Sequence, residues 1–418
     1  MFENRPRFAI VLFATGLALP LPALATDGYF SHGFGVRSQG IAGVGIALPQ
    51  DGLAAATNPA GTAFVGDRVD LGVTWFAPER SADVVGNPAI SGHYDGNDTR
   101  NFFLPEFGYV KQLSPTTSVG IAVYGNGGMN TDYGRNPFTN FGSTGSAGVN
   151  LEQLFISPSL AYKITPEHSL GIALNFAYQR FSAKGLSVFS GSSADPENLT
   201  NQGTDSSTGA GLRLGWTGQI TPALTLGATW SSKIHTGKFD KYRGLFADSG
   251  SFDIPANYGI GAAFKATDTF TLAADIQRIE YGGVKSIANP LANLLSGNAL
   301  GTQDGAGFGW RDVTVYKIGA SYDVNPDFTV RAGYSYNTQP VPRDQTLFNI
   351  LAPGVVQQHV SLGGTWKTGG GELSVAFTHA FKNTVKGKAS IPTFPYGGGE
   401  ANVSLEENIL GVAWSWKL

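Results

Sequence analysis

Histidine is the first residue type to examine for chemistry in this chain, because it supplies most general bases near neutral pH. There are six, and they are His32, His93, His168, His235, His359 and His379. Only His359 and His379 fall in segments with strand patterning, on different hairpin arms, and no Gly-x-Ser-x-Gly elbow accompanies them. The pattern therefore predicts no catalytic residues, and a lipid hydrolase is the least favoured function considered.

Cofactor chemistry is not indicated either. His32 and Asp27 are near each other in sequence, but a hydrogen-bonded pair in a packed segment explains them better than catalysis. No group of His, Asp and Glu has the spacing of metal ligands, and the glycines at 40, 43 and 45 are not followed by the strand–helix–strand unit of a dinucleotide site. We expect no metal and no cofactor. The net charge of −3 and the lack of a long basic run argue against a nucleic-acid partner.

The chain begins with the pattern of a secretory signal peptide. Two arginines supply positive charge, residues 8–19 form an apolar stretch too short to span a membrane, and Ala23 and Ala25 frame a small-x-small cleavage site. We expect residues 1–25 to be removed. There is no Cys and hence no disulfide framework, and no later run of 18 apolar residues predicts a helical span.

The last nine residues have the pattern of a strand with one apolar face. Leu410, Val412, Trp414, Trp416 and Leu418 alternate with small or polar residues, and side chains alternate between two faces along a strand. Such an ending is typical of the last strand of an outer-membrane β-barrel, where one face meets lipid and aromatic residues lie at the interface.

Composition favours the same class. The 418 residues include 57 Gly, 12% aromatic residues and 14% charged residues, whereas ordinary soluble domains have about 25% charged residues. The mean hydropathy of −0.05 is too low for a helical membrane protein and suits a barrel, in which only alternate strand residues face lipid. We expect an all-β protein, a transmembrane antiparallel β-barrel in the bacterial outer membrane.

Six compact turn signals divide the chain into hairpins. They lie at 114–117, 165–168, 221–223, 266–268, 325–327 and 368–371. With a first strand at 69–76 and a last strand at 403–418, six hairpins give about fourteen strands, an even number as in single-chain bacterial barrels. The long segments between hairpins, predicted to be extracellular loops, are 77–101, 126–150, 184–207 and 279–310.

Residues 26–68 precede the first strand and are too many to hang free. Small residues dominate this segment, which suits close packing inside a lumen that the wall side chains cannot fill. We therefore expect a signal peptide at 1–25, an N-terminal hatch (a plug inside the lumen) at 26–68 and a transmembrane barrel at 69–418.

The chain resembles the FadL-type outer-membrane transporters, which take up long-chain fatty acids and, in some branches, aromatic hydrocarbons such as toluene. The resemblance extends over the whole mature chain, although Leu418 stands where Phe is usual. It is carried by Gly28-Tyr-Phe-Ser-His32, Ser38-Gln-Gly-Ile-Ala-Gly43, Asp51, Tyr124-Gly-Asn-Gly-Gly-Met-Asn-Thr-Asp-Tyr133 and above all by Asn58, Pro59, Ala60 and Gly61 just before the first strand.

The resemblance implies a monomer in contact with outer-membrane lipid and lipopolysaccharide, placed there by the barrel assembly machinery. It implies passive diffusion of a hydrophobic small molecule from an extracellular groove to a pocket beside the hatch, then lateral release into the membrane where the third strand kinks inward. The kink would map to Gly125, Gly127 and Gly128, since glycine bends or bulges a strand most easily. Alternatively, these glycines only begin an extracellular loop.

The candidate ligand contacts are apolar residues in segments that should otherwise be polar. An apolar patch there marks either a binding site or loops packed on one another. Residues 287–295 could form a short amphipathic helix. The loop candidates are Met129, Phe138, Phe141, Leu291, Leu294 and Leu295, and the hatch candidates are Phe30, Phe34, Leu53 and Phe64.

A general porin for small polar solutes is the main alternative. Arg213, Asp275, Lys317, Asp323 and Arg331 are predicted to face the lumen, where they would suit a polar channel. They would equally anchor a hatch, since buried charges need partners. The long segment before the barrel favours the hatch. The identity of the ligand and the direction of transport stay open.

Overall fold

The computed structural model describes residues 27–418, so the predicted signal peptide at 1–25 lies outside the described residues. One antiparallel sheet of fifteen strands makes up the molecule. The strands are β1 (Arg68–Val85), β2 (Gly92–Asp95), β3 (Phe102–Gln112), β4 (Thr117–Tyr133), β5 (Ala147–Lys163), β6 (His168–Lys184), β7 (Asp205–Gln219), β8 (Leu224–Ser231), β9 (Asn257–Lys265), β10 (Phe270–Ile279), β11 (Val313–Asn325), β12 (Phe328–Asn337), β13 (Gln358–Thr368), β14 (Gly371–Val385) and β15 (Glu400–Lys417).

The sheet closes on itself as a barrel. The last strand, β15, pairs with β1 along the whole length of β1, from Arg68 opposite Lys417 to Val85 opposite Glu400. The short β2 pairs only with one end of β1, so the other fourteen strands form the barrel wall. The prediction of a fourteen-stranded antiparallel barrel is confirmed, and each of the six predicted turns joins two neighbouring strands.

The wall shows the alternation that lipid on one side requires. On β6 the outward side chains are 39–50% exposed, whereas the intervening residues are buried. These outward residues are Leu170, Ile172, Leu174, Phe176 and Tyr178. On β15 the predicted apolar face is likewise outward, with Leu410, Val412 and Trp416 each 38–39% exposed.

Two of the loops between strands are shorter in the structure than the sequence predicts. The loop predicted at 77–101 is shortened because β1 continues to Val85, and the one at 126–150 because β4 continues to Tyr133 and β5 begins at Ala147. The outward residues of these extensions are polar, for example Asn130 and Asn150. The outward apolar residues form a belt around the wall. Beyond this apolar belt the strands stay paired, but their outward residues are polar, so the alternation that predicts a strand is lost.

The helices are single turns. They are α1 (Val36–Gln39), α2 (Ala54–Thr57), α3 (Ala247–Gly250), α4 (Lys285–Ala288), α5 (Ala292–Leu295) and α6 (Thr346–Asn349), with 3-10 turns at Pro59–Phe64, Thr139–Phe141, Ser187–Ser192, Pro196–Asn198, Asp240–Tyr242 and Tyr281–Gly283. None of the helices within residues 27–418 has the length and apolar character to cross a membrane.

Residues 27–63 lie inside the barrel, packed against the inner face of the wall. The Asn58–Gly61 motif fixes them there: Asn58 Nδ2 donates to Trp216 O at 2.9 Å and to Thr217 Oγ1 at 3.0 Å. A Cβ at Gly215 would lie only 1.9 Å from Asn58 Oδ1. At other wall glycines a Cβ would lie 2.2–2.9 Å from this segment, and these are Gly108, Gly171, Gly227, Gly261, Gly319, Gly333, Gly363 and Gly411.

Buried wall charges hold the same segment. Lys317 Nζ donates to the His32 carbonyl at 2.6 Å, and Asp275 accepts hydrogen bonds from the backbone N–H groups of Gly45 and Ile46. Two buried arginines of the wall also donate hydrogen bonds to this segment. Arg331 donates to the Gln50 side chain at 2.9 Å, and Arg213 donates to the Thr57 carbonyl at 3.4 Å.

Asp323 departs from the prediction that it faces the lumen with the other charges. It is exposed near the end of β11 and accepts a hydrogen bond from Thr329. It lies beside the short turn, where the register of β11 and β12 shifts, so water rather than the lumen surrounds it.

Deletion of residues 29–56 should convert the protein into an open pore. The deletion removes the hatch contacts with Asp275, Lys317 and Arg331 and leaves those charges facing an empty lumen. In planar bilayers the intact protein should show little steady conductance and the deletion variant large ohmic currents. Heat-modifiable mobility on gels controls for barrel folding, and large currents from the intact protein would contradict the hatch.

Candidate functional site

The backbone ladder of the wall has a gap between β3 and β4, which we call the window. Strands β3 and β4 pair only between Phe107–Gln112 and Ser118–Val123. Beyond Val123, β4 runs on to Tyr133 with β5 on one side, and among the described residues β3 no longer pairs with it. A bridge between Asn97 and Asp132 closes the far end. The window thus lies between residues 102–106 of β3 and 124–131 of β4.

The three glycines predicted to form a kink lie at the window. The register of β4 with β5 shifts between Gly125 and Gly127, so that Asn126 is an extra residue in β4 and forms a β-bulge. The other edge of this bulge pairs with the hatch, because Ser31 N donates to Asn126 O and Gly128 N donates to Tyr29 O, both at 2.9 Å. Residues 29–31 therefore take the place beside β4 that β3 has left.

Arg80 crosses the window from β1. Its side chain is buried, and Nη1 donates to the Asn130 backbone carbonyl at 3.0 Å and to Asn130 Oδ1 at 2.7 Å. Nη2 donates to the Thr99 carbonyl at 2.5 Å. One guanidinium thus ties β1 to β4 and to the segment that leads into β3.

A small cavity lies on the inner side of Arg80 and a larger groove lies on its outer side. Inside the wall is a cavity of about 20 Å³, whose lining includes Phe76, Met129 and Glu407. Both carboxyl oxygens of Glu407 are buried and have no hydrogen-bond partner within residues 27–418. Outside the wall is a groove of about 700 Å³ that the window faces, lined in part by Phe102, Phe103, Asn130, Asp132 and Glu152.

An apolar track leads through the lumen to the window. One set of aromatic contacts passes from Phe181 through Phe246 and Phe252 to Tyr29 and Phe30, with centroid separations of 4.6 to 6.2 Å. A second set joins Phe138, Phe189 and Phe348 nearer the loops. A cavity of about 40 Å³ between the two sets is lined by residues of both. It has room for only a few water molecules, so an organic ligand would have to displace side chains.

Most predicted ligand contacts belong to this track. Phe30, Leu53, Met129, Phe138 and Leu291 are buried in one apolar cluster, and Phe34, Phe141 and Leu294 pack against it. Two predicted residues lie elsewhere. Leu295 is 52% exposed, and Phe64 is 38% exposed near the short turns, with its ring 4.9 Å from Lys163 Nζ.

The amphipathic helix predicted at 287–295 is wrong in form. Two single turns, α4 and α5, are separated by Asn289 and Pro290. Asn289 has φ −57° and ψ 129°, the extended conformation that a following proline favours by steric conflict with a helical residue. The break turns Leu291 into the cluster, where its backbone N–H donates to Gln345 Oε1 at 2.8 Å, and leaves Leu295 outside.

Sequence reasoning missed the aromatic centre of the track. Phe30, Phe252, Tyr281 and Trp310 surround Tyr29. The Tyr281 hydroxyl donates to the Asp27 carbonyl at 2.5 Å. An aromatic residue in a long loop is the sequence signal that singles out Phe138. The same signal is present at Phe252, Tyr281 and Trp310, which lie in later loops.

The histidines also differ from the prediction. His93 lies in β2 and His168 begins β6, so His359 and His379 are not alone in strands. The fold brings Asp27, His32 and His359 together, with one ligand-capable atom of each within 4.8 Å of the others. Burial raises the pKa of Asp27 to about 6, against the opposing charge of Lys317, and burial lowers the pKa of His32.

A hydrolase is not supported by this cluster. Ser335 Oγ lies 3.1 Å from His359 Nδ1, which resembles part of a catalytic triad. Both residues are 0% exposed beneath the hatch, however, so a substrate carbonyl could not reach the hydroxyl.

The comparisons with known proteins agree with this geometry. Residues 23–415 match the family model for "Outer membrane protein transport protein (OMPP1/FadL/TodX)". None of the curated protein sequences compared with the chain matches it significantly. Three similar crystal structures are a Pseudomonas aeruginosa FadL homologue, the Pseudomonas putida toluene transporter TodX and the Ralstonia pickettii toluene transporter TbuX.

These structures share the fold at low sequence identity. For the FadL homologue the identity is 17% and the TM-score 0.70, over 93% of this chain and 99% of that one. For TodX the values are 19% and 0.69, over 94% and 100%, and for TbuX 18% and 0.64, over 93% and 99%. The fold and site define an outer-membrane β-barrel transport protein rather than an enzyme. The chain belongs to the OMPP1/FadL/TodX family.

Replacing Leu291 and Leu294 together by Asn should weaken binding of a fatty acid or aromatic hydrocarbon by tenfold or more. A buried Leu side chain contributes roughly 1.5–3 kcal/mol, and both residues pack in the apolar cluster. Leu295→Asn is the matched control, because Leu295 lies outside it. Fluorescent-probe displacement on purified protein measures the effect. Unchanged binding in the double variant, or an equal loss in the control, would remove this loop from the site.

Proposed function

We propose that the protein carries hydrophobic small molecules, either long-chain fatty acids or aromatic hydrocarbons, across the outer membrane by passive diffusion. The extracellular loops capture the ligand, the aromatic track conducts it to Tyr29 and Phe30, and the window releases it sideways into the membrane. The observation that carries the proposal is the position of the window at the inner end of the track, where Phe30 pairs with Gly127.

The hydrophobic effect favours this exit. A ligand that continued down the lumen would have to pass the hatch and then enter water, which costs about 0.8 kcal/mol per CH₂ group. Release through the window would let the apolar part of the ligand pass from the track to the lipid tails without entering bulk water. The lateral route therefore avoids the largest barrier that an apolar molecule meets.

The composition of the lumen supports a hydrophobic ligand over a polar one. Four of the five wall charges predicted to suit a porin, Arg213, Asp275, Lys317 and Arg331, are instead bound to the hatch. The space above the hatch is filled by aromatic and aliphatic side chains. Two of the similar structures are of toluene transporters, which agrees with an apolar ligand.

The proposal includes the state of the protein in the membrane. The barrel closes within one chain, because β15 pairs with β1, so we propose a monomer. Its apolar belt would contact outer-membrane lipid and lipopolysaccharide. Export would use a signal peptide cleaved after residue 25, and insertion would use the barrel assembly machinery.

Gly125→Trp should abolish uptake while leaving ligand binding intact. A Cβ at Gly125 would lie 2.7 Å from Leu104 Cδ2 on the opposite side of the window, so an indole ring would fill the gap. Ile121→Trp is the matched control, because Ile121 lies on the same strand where β3 and β4 are still paired. Uptake is measured in cells and binding on purified protein. If cells with the Gly125→Trp protein take up ligand at the same rate as cells with the natural protein, the exit lies elsewhere.

Arg80→Ala should increase uptake, because Arg80 holds the window closed. A hydrogen bond to a charged group contributes about 1.5–3 kcal/mol, so loss of the bonds to Asn130 and Thr99 should raise the rate roughly tenfold where opening limits it. Arg278→Ala is the control, since Arg278 makes a 3.0 Å ion pair with Asp312 and lies on β10, which forms no part of the window. Reduced uptake by a correctly folded Arg80→Ala protein would show that Arg80 does not act as a latch.

A further inference from the structure

Three buried side chains from opposite ends of the chain meet where the hatch touches β12 and β13. Asp27 and His32 belong to the hatch, and His359 lies on β13. The Asp27, His32 and His359 side chains each offer one ligand-capable atom within 4.8 Å of the others. The two imidazole rings lie 4.6 Å apart, centroid to centroid, with an interplanar angle of 30°. All three residues are at most 3% exposed.

Each of the three side chains carries one buried atom that has no partner within residues 27–418. Asp27 Oδ1, His32 Nε2 and His359 Nε2 are buried and make no hydrogen bond to any described residue. A buried polar group that stays unpaired costs about 1–3 kcal/mol. Three such atoms in one place therefore indicate that something with complementary chemistry occupies the space between them.

Ser335 on β12 fixes the rings in a suitable form. Its Oγ lies 3.1 Å from His359 Nδ1 and 3.5 Å from His32 Nδ1. A hydroxyl oxygen has two acceptor lone pairs, so both Nδ1–H groups can donate to it. This arrangement puts the lone pair of each ring on Nε2, as in metal sites where an outer-shell partner orients the ligand.

The donor set suits a transition-metal dication. Two imidazoles and one carboxylate form a typical Zn²⁺ site with the fourth position open to water. Ligands about 2.0–2.2 Å from Zn²⁺ in tetrahedral geometry lie roughly 3.3–3.5 Å apart. The ligand atoms here lie within 4.8 Å of one another, so they need to approach by up to roughly 1.5 Å to reach that spacing. A cavity of about 20 Å³, lined in part by Asp27, adjoins the cluster, which is enough for one water molecule.

Lys317 is the competing cation. Its Nζ lies 3.5 Å from Asp27 Oδ2 and donates to the His32 carbonyl at 2.6 Å. The contact with the carboxylate uses Oδ2 and leaves Oδ1 unpaired in the described part of the chain. The ammonium lowers the affinity for a dication by repulsion, but it also holds Asp27 and His32 in position.

We infer that Asp27, His32 and His359 form a binding site for a divalent transition-metal ion, with Zn²⁺ as the representative ion, that fastens the start of the hatch to β13. The two hatch ligands flank residues 29–31, the segment that pairs with β4 at the window. A bound ion would therefore fix that segment at both ends.

Titration of the chelator-treated, full-length mature protein with Zn²⁺ in detergent, followed by calorimetry, tests the site. We expect saturable binding of one ion per chain and a higher unfolding temperature with Zn²⁺. His359→Gln removes a ligand and should weaken binding roughly 100-fold or more, whereas Ser335→Ala removes the outer-shell partner and should weaken it about 10–100-fold. His93→Gln and His235→Gln are matched controls, because each replaces an exposed histidine beside an aspartate.

Heat-modifiable mobility on gels establishes that each variant is folded. If His359→Gln does not fold, the visible absorption of Co²⁺ added to the natural protein decides, because nitrogen and oxygen ligands in tetrahedral geometry give strong bands. The proposal is overturned by the absence of both saturable binding and those bands. Equal affinity in natural and His359→Gln proteins, or loss of binding in His235→Gln, would overturn it as well.

Discussion

Every backbone N–H and C=O inside a membrane must be paired within the protein, because lipid offers no partner. The barrel satisfies this rule by joining β15 to β1 along their full lengths. Strand β4 departs from this pattern, because it leaves β3 after Val123 while still far from its own end. Residues 29–31 of the hatch pair with the exposed edge of β4, so the hatch completes the wall from inside.

This pairing couples the hatch to the window. If residues 29–31 moved away, Asn126 O and Gly128 N would lose their partners, at a cost of about 1–3 kcal/mol each. The fit also explains why Gly127 is a glycine, since a Cβ there would lie 2.0 Å from Tyr29 O. Gly127 therefore serves close backbone approach, and the wall glycines that face the rest of the hatch serve close packing as well.

The sequence predicts the parts of the fold that depend on local contacts. Turn residues mark the six hairpins, and the alternation in 410–418 identifies an outward strand, because both signals arise within a few residues. The extension of β4 to Tyr133 could not be predicted this way. Apolar residues alternate with other residues along a strand only where one face meets lipid and the other faces the lumen. Where a paired strand extends beyond the lipid, its outward residues are polar and this alternation is lost.

The site residues that were missed depend on contacts between distant parts of the chain. Arg80 acts through Thr99 and Asn130, and His359 meets His32 only after the hatch is seated, so no spacing in the sequence reveals either. The incorrect prediction that Phe64 contacts the ligand has a related cause. The last turn of the hatch, Pro59–Phe64, leaves the lumen to reach β1, and an apolar residue at that exit packs on Lys163 instead of the track.

The level of the window along the wall bears on the proposed release. On β5 and β6 the outward residues are apolar up to Phe176 and Tyr178, and beyond them they become polar, as at Asn150, Ser182 and Lys184. The groove outside the window is lined by these polar residues together with Phe102 and Phe103 of β3. The window therefore opens where the apolar belt gives way to polar side chains, level with the boundary between lipid tails and headgroups. A molecule with one polar end could keep that end in the groove while its apolar part enters the tail region, so each part leaves the protein into an environment of its own polarity.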